Sequence, residues 1–179
     1  MFNLNFTICR LQNVPSFDVT SKDIVNGRLS DIKFMSGDFG IEGGQDISPE
    51  VSWTGTPSDT KSFVVTLYDP DAPTGSGFWH WAVYNILATV NKLPQDAGNK
   101  DNSKLPSKAI QLPNDARTKK YIGAAPPKGH GVHHYFLTVW ALNVETVAIP
   151  EDSTPAFLGF TMFGHVLARG VLNFEVEVK

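Results

Sequence analysis

The chain has 179 residues, 41% hydrophobic and 18% charged, and this length and composition predict one globular domain spanning residues 1–179. A net charge of −3 argues against a nucleic-acid-binding protein, because phosphate backbones are bound by basic surfaces. The single cysteine, Cys9, excludes a disulfide framework and a metal site built on cysteines.

The N-terminal sequence MFNLNFTICRLQNV has no charged start, sustained apolar run or small-residue cleavage site, so it does not resemble a signal peptide. No apolar run approaches the roughly 20 residues that span a bilayer. We therefore expect a cytoplasmic protein without a transmembrane segment.

Most of the regular structure predicted from the sequence is β-strand. Alternating or β-branched apolar residues predict strands at 2–6, 51–53, 62–68, 78–86 and 134–142, and the run VLNFEVEV predicts a closing strand. The polar, proline-broken segment 93–131 predicts an irregular connection with at most brief strands. Helix signals occur once: Ser153 or Thr154 as N-cap, Pro155 in the first turn and Gly170 as the stop. The predicted fold is mainly β, a two-sheet sandwich with a C-terminal helix.

Two polar residues stand out near the ends of apolar strands. Asp69 is in register with the inward residues of its strand, and a buried carboxylate needs donors or a cation. Strict alternation in the next strand places His80 on the face of Phe78, opposite Trp79 and Trp81. A histidine among apolar neighbours is more often a hydrogen-bonded core residue than a ligand. Asp69 favours a site, because a carboxylate fixes the tautomer and charge of an imidazole.

A third candidate region is the segment YIGAAPPKGHGVHHY, residues 121–135. Its glycines allow close backbone approach, and loop amides of this kind can bind anions. His133 and Tyr135 share one face of the following strand and His134 takes the other. A plain surface hairpin and a zinc or iron site are the alternatives, although the histidines lack the spacing of a metal motif. The sequence contains no nucleophile-elbow, P-loop or dinucleotide motif.

The blocks DPDAP, GFWHW and GAAPPKGHGVHHY, with SPEVSWTG before them and GHVLA after them, resemble the phosphatidylethanolamine-binding protein (PEBP) family. This family is also called Raf kinase inhibitor-like, and its bacterial and archaeal branch is the most similar. The resemblance runs from about residue 47 to the C-terminus, and it implies a Greek-key β-sandwich and a cis peptide bond before Pro73. It also implies a pocket that holds a phosphate, a phosphorylated headgroup or another small oxyanion. The ligand-binding residues that it implies are Asp69, Pro73, His80, Gly123, Ala125, Pro126, Pro127, His133 and Tyr135.

Three positions depart from the family pattern: Ala125 stands where glycine is usual, His134 where arginine is usual, and Phe78 where some members carry tryptophan. Asp69 is unexpected beside an anion, since two bare negative charges repel. We hypothesise that Asp69 holds His80 protonated, or that it shares a proton with the bound phosphate.

The resemblance implies a non-catalytic binding protein with no catalytic residue, cofactor or metal. Its partners would be a phosphoryl headgroup or small oxyanion, a kinase or protease regulated by binding, and a second copy in a homodimer. The alternative is a hydrolase or metal-dependent enzyme that uses the Asp, His and Tyr side chains, including one on a cupin-type barrel.

Overall fold

The computed structural model describes residues 11–179, so the strand predicted at 2–6 lies outside the described residues. The strands are β1 (Asp18–Thr20), β2 (Ile24–Val25), β3 (Arg28–Leu29), β4 (Val51–Thr54), β5 (Ser62–Asp69), β6 (Phe78–Leu87), β7 (Lys92–Leu93), β8 (Ile110–Gln111), β9 (His133–Leu142) and β10 (Val166–Val176). The helices are a 3-10 helix at Ile32–Phe34 and α1 (Pro155–Met162). None of the described helices has the length and apolar character to cross a membrane.

The strands form two main antiparallel sheets. The larger sheet has the order β10-β9-β5-β6-β8, and the smaller has the order β1-β4-β7, with β2 and β3 forming a separate hairpin. Apolar side chains from both main sheets form one core cluster, to which β4 contributes Val51 and Trp53, and β5 contributes Val65 and Leu67. The predicted mainly β fold with a C-terminal helix is confirmed.

The two central strands of the larger sheet alternate between the core and the opposite face. In β5, Val65 and Leu67 belong to the core cluster, while Val64 belongs to a second cluster beneath α1. We call the core side the inner face and the α1 side the outer face. Asp69 continues the inner series and is 2% exposed, as the alternation predicted.

Strand β6 does not alternate regularly, and here the prediction from the sequence was wrong. Leu67 pairs with Trp81, but the next residue of β5 pairs with Trp79, so His80 is an extra residue in a β-bulge. The bulge places His80 and Trp81 on the inner face together, whereas strict alternation had put them on opposite faces. Trp79 lies on the outer face, where its ring packs against Tyr68.

The C-terminal helix is shorter than the sequence predicted. It begins after Thr154, whose side chain accepts a hydrogen bond from the amide of Phe157 at 3.1 Å, and it ends at Met162. Gly164 adopts a φ of +89°, which ends the helix well before the predicted stop at Gly170. The following residues instead form β10, where Val166 pairs with Leu142.

Candidate functional site

The turn after β5 is closed by the side chain of its first residue. Oδ1 of Asp69 accepts hydrogen bonds from the amides of Asp71 at 2.8 Å and Ala72 at 3.1 Å. The implied cis bond before Pro73 is wrong, because all the described peptide bonds are trans. The carboxylate of Asp69 bends the chain here, and the ring of Pro73 is exposed.

The other carboxylate oxygen of Asp69 begins a chain of hydrogen bonds that runs through His133 to His130. Oδ2 of Asp69 accepts a hydrogen bond from Nδ1 of His133 at 2.7 Å, and both side chains are buried. Nε2 of His133 then lies 2.7 Å from Nδ1 of His130, on an exposed loop. The hypothesis that Asp69 orients and charges His80 is therefore wrong: its imidazole partner is His133, which β9 brings beside β5.

His80 is fixed by the backbone instead. Its Nδ1 lies 3.0 Å from the carbonyl oxygen of Ile122, to which it donates, and the side chain is 3% exposed. Burial lowers the pKa of His80 below its ordinary value of 6.5, and the hydrogen bond to Ile122 offsets only part of that effect. The ring is therefore neutral at neutral pH, with its lone pair on Nε2.

Tyr135 completes the group on the inner face. Its ring stacks on Phe174 with centroids 5.0 Å apart, and it meets the His80 ring edge-on at 5.3 Å. The residue is 1% exposed, and its hydroxyl lies near the carboxylate of Asp69 without making a well-formed hydrogen bond to it or to any other described residue. Burial and the neighbouring charge of Asp69 raise the pKa of Tyr135 above its usual value, so the hydroxyl keeps its proton.

The loop at residues 121–131, which the sequence analysis gave as a candidate anion-binding segment, contributes in another way. The amide of Gly123 donates to Oδ1 of Asp46 at 2.8 Å, so it is already committed within the protein. A Cβ atom at Gly123 would overlap the backbone of Met35, which explains why glycine is needed here. Further along the loop the exposure differs from residue to residue: Pro126 is buried, Ala125 is half-buried and Pro127 is exposed.

His134, the second departure from the family pattern, faces away from this group. Its amide and its Nδ1 lie 2.8 and 2.7 Å from Oδ2 of Asp71, and its Nε2 lies 3.7 Å from Glu175. The imidazole therefore interacts with two carboxylates on the outer side of the sheet. The pair of His134 and Asp71 joins the turn after β5 to the start of β9 on the outer side. The pair of Asp69 and His133 makes the corresponding connection on the inner side.

The structure thus brings together four of the predicted residues, namely Asp69, His80, His133 and Tyr135. They offer one free hydroxyl donor, imidazole lone pairs and one carboxylate, all nearly buried. Among residues 11–179, no group of three or more His, Cys, Asp or Glu side chains is placed to hold a metal ion.

Three residues that organise the site are absent from the ligand set that the resemblance implies. His130 caps His133, and its position three residues earlier in a glycine loop was a usable signal. Phe174, which stacks on Tyr135, and Asp46, which holds Gly123, gave no such signal, because each acts through a contact between distant parts of the chain.

A family model described as Phosphatidylethanolamine-binding protein matches residues 20–177. The chain belongs to the PEBP family. Among its relatives, Escherichia coli (strain K12) YbcL is 45% identical over 92% of this chain and 89% of its own length. The second E. coli relative, YbhB, is 42% identical over 86% of this chain and 95% of its own length.

Solved structures of PEBP members have the same fold. The crystal structure of E. coli YbcL, described as a new member of the mammalian PEBP family, superimposes with a TM-score of 0.87 at 44% identity, covering 92% of this chain and 99% of that one. A PEBP homologue from Chlamydia trachomatis superimposes with a TM-score of 0.75 at 28% identity, covering 92% and 99%. These likenesses support a comparison of this chain with the PEBP family over nearly its full length.

Proposed function

We propose that this PEBP-family chain binds a small oxyanion, a phosphate or a phosphorylated headgroup, without catalysing a reaction. The observation that carries the proposal is the hydroxyl of Tyr135, which is buried and lacks a hydrogen-bond partner among the described residues. An unsatisfied buried hydroxyl costs on the order of 1–3 kcal/mol, so a protein that keeps one gains by donating it to a ligand.

The neighbouring side chains support a binding role. Asp69 and His133 are already hydrogen-bonded to each other, and His80 is held by Ile122, so the site is preorganised before a ligand arrives. Among the described residues that surround Tyr135, no serine, threonine or cysteine side chain forms a hydrogen bond with either buried imidazole, as an activated nucleophile would.

The test compares two tyrosine-to-phenylalanine variants. Tyr135→Phe removes the unpartnered hydroxyl, and we expect phosphate binding, measured by calorimetry with inorganic phosphate and phosphorylethanolamine, to weaken about tenfold or more. The free energy of unfolding measured in urea should not fall, and it should rise by up to about 1–3 kcal/mol, because the substitution removes a buried hydroxyl that has no partner.

Tyr121→Phe is the matched control. Tyr121 is equally buried, but its hydroxyl donates to the carbonyl oxygen of Phe34 at 2.8 Å. Its removal should cost about 1 kcal/mol of stability and leave phosphate affinity unchanged. Equal affinities in wild type and Tyr135→Phe would contradict the proposal.

One observation favours an enzyme as the second candidate. A buried carboxylate bonded to Nδ1 of an imidazole, as in Asp69–His133, is the arrangement that positions a general base. Turnover of generic phosphoester or ester substrates that disappears in His133→Gln would decide in favour of this candidate. Regulation of a kinase or protease by binding rests on the family resemblance alone and remains a prediction.

A further inference from the structure

The hydrogen bonds of His133 reveal which kind of atom this side chain presents to a ligand. Nδ1 faces the carboxylate of Asp69, which can only accept, so Nδ1 carries the proton. In the neutral ring, Nε2 then carries a lone pair and can accept a hydrogen bond. With His133 neutral, this lone pair lies 2.7 Å from Nδ1 of His130, and the N–H of that bond then belongs to His130.

His80 presents the same kind of atom for a different reason. The carbonyl oxygen of Ile122 can only accept, so Nδ1 of His80 carries a proton and the neutral ring has its lone pair on Nε2. The rings of His80 and Tyr135 are in contact. The site therefore combines one donor, the Tyr135 hydroxyl, with imidazole acceptors from two different strands.

A fully deprotonated anion is a poor match for such a group, because it has no proton to donate to a lone pair. Sulfate near neutral pH has only acceptor oxygens. Hydrogen phosphate and a phosphomonoester monoanion can both accept and donate: their unprotonated oxygens accept from Tyr135, and their one P–OH can donate to an imidazole. A buried imidazole lone pair that is left without a donor costs free energy.

The loop that bears His130 allows this donor to be exchanged. His130 is exposed and lies between Gly129 and Gly131, whose φ angles are +77° and +94°. In contrast, Asp69 and His133 are buried in strands of the central sheet. Of the three hydrogen-bonded side chains, Asp69, His133 and His130, that of His130 is therefore the one that can move away without disturbing the core.

We infer that the site selects singly protonated phosphate groups over sulfate, and that the N–H of His130 occupies the position of the ligand's P–OH until the ligand displaces it. Asp69 acts as a positioning residue, since it keeps Nε2 of His133 an acceptor. This inference rests on the proposed function and adds the protonation state of the ligand and a role for His130.

The first experiment measures the affinities of the full chain for inorganic phosphate and sulfate at the same pH and ionic strength by calorimetry. We expect phosphate to bind about tenfold tighter or better, because one buried hydrogen bond separates the two ions. If wild type binds both ions equally, or prefers sulfate, the anion site stands and this inference is overturned. If it binds neither, the proposed function is overturned and this inference with it.

Two variants test the roles of the individual residues. His130→Ala removes the internal donor, so phosphate affinity should rise about fivefold, while sulfate gains nothing from the exposed lone pair. His165→Ala, at another exposed histidine, is the matched control and should change neither affinity. Weaker or unchanged phosphate binding in His130→Ala overturns the displacement.

Asp69→Asn should shift the preference toward sulfate. Its amide can donate to Nδ1 of His133, which moves the ring proton to Nε2 and turns that atom into a donor. We expect the phosphate-to-sulfate affinity ratio to fall about tenfold. An unchanged ratio in a folded variant contradicts the role of Asp69, and His130→Ala tests the displacement independently should Asp69→Asn fail to fold.

Discussion

Two neighbouring residues of β6 belong to regions with opposite chemistry. His80 lies on the inner face among Asp69, His133 and Tyr135, where polar side chains are held by hydrogen bonds. Trp79 lies on the outer face, in a groove of two adjoining cavities of ≈ 250 and ≈ 220 Å³. Both cavities are lined by Leu11, Thr66, Trp79, Trp140 and Arg169.

This difference indicates that the outer groove stabilises the fold, whereas the inner site is suited to bind a ligand. The outer groove is formed by packing of aromatic and aliphatic side chains, as in the contact of Arg169 with the Trp140 ring at 5.8 Å. The inner site depends on bonds between residues far apart in sequence, and it leaves the Tyr135 hydroxyl unsatisfied. Substitutions in the groove should therefore affect stability, and substitutions in the site should affect binding.

The largest expected effect comes from the groove. Trp140→Ala removes a side chain that is 7% exposed and whose Nε1 donates to Thr66 at 3.1 Å, so the free energy of unfolding should fall by about 3–5 kcal/mol. Phosphate affinity, measured by calorimetry below the melting temperature, should stay within about twofold of the wild type. A tenfold loss of affinity in a folded variant would show that the two faces are coupled.

A smaller effect is expected at Gly123, where the site meets the packed backbone. An alanine Cβ there overlaps the backbone of Met35, so Gly123→Ala should cost about 1–3 kcal/mol in urea denaturation. Gly159 in α1 has no atom within 4 Å of an added Cβ, and Gly159→Ala should raise stability by up to about 1 kcal/mol. Equal effects of the two substitutions would mean that Gly123 does not pack as described.

The smallest expected effect is a pH dependence from His80. Because burial lowers its pKa below 6.5 in the folded chain, the unfolded chain binds more protons below that pH. Stability should therefore fall as pH decreases through about 6.5, with a slope of at most about 1.4 kcal/mol per pH unit from this group. Urea midpoints of His80→Gln should show a shallower slope, whereas His165→Gln, at an exposed position, should keep the wild-type slope.

Much of the fold could be predicted from the sequence, because strands β5, β6 and β9 are long apolar runs with clear ends. The bulge at His80 could not be predicted, since it depends on the register between β5 and β6 rather than on β6 itself. The helix was predicted too long because Gly164, which ends it, lies within a run of apolar residues that fits either a helix or a strand.

The grouping of Asp69, His80, His133 and Tyr135 on one face was also predictable, whereas the pairing among them was not. Asp69 was assigned to His80, its neighbour along the chain, because sequence separation was the only available guide. In the folded chain His133 is 64 residues away, yet it is the imidazole that reaches the carboxylate. The unsatisfied hydroxyl of Tyr135 and the capping of His133 by His130 likewise depend on tertiary contacts.

Because of the bulge in β6, the number of residues between Phe78 and Trp81 decides which side chains lie on each face of the sheet. Deleting one residue between Phe78 and Trp81 would restore plain two-residue periodicity at this end of the strand. Either the indole of Trp79 or the imidazole of His80 would then occupy the wrong side of the sheet. We therefore expect an insertion or deletion at this point to disrupt one of the two faces, whereas a substitution leaves the register between β5 and β6 unchanged.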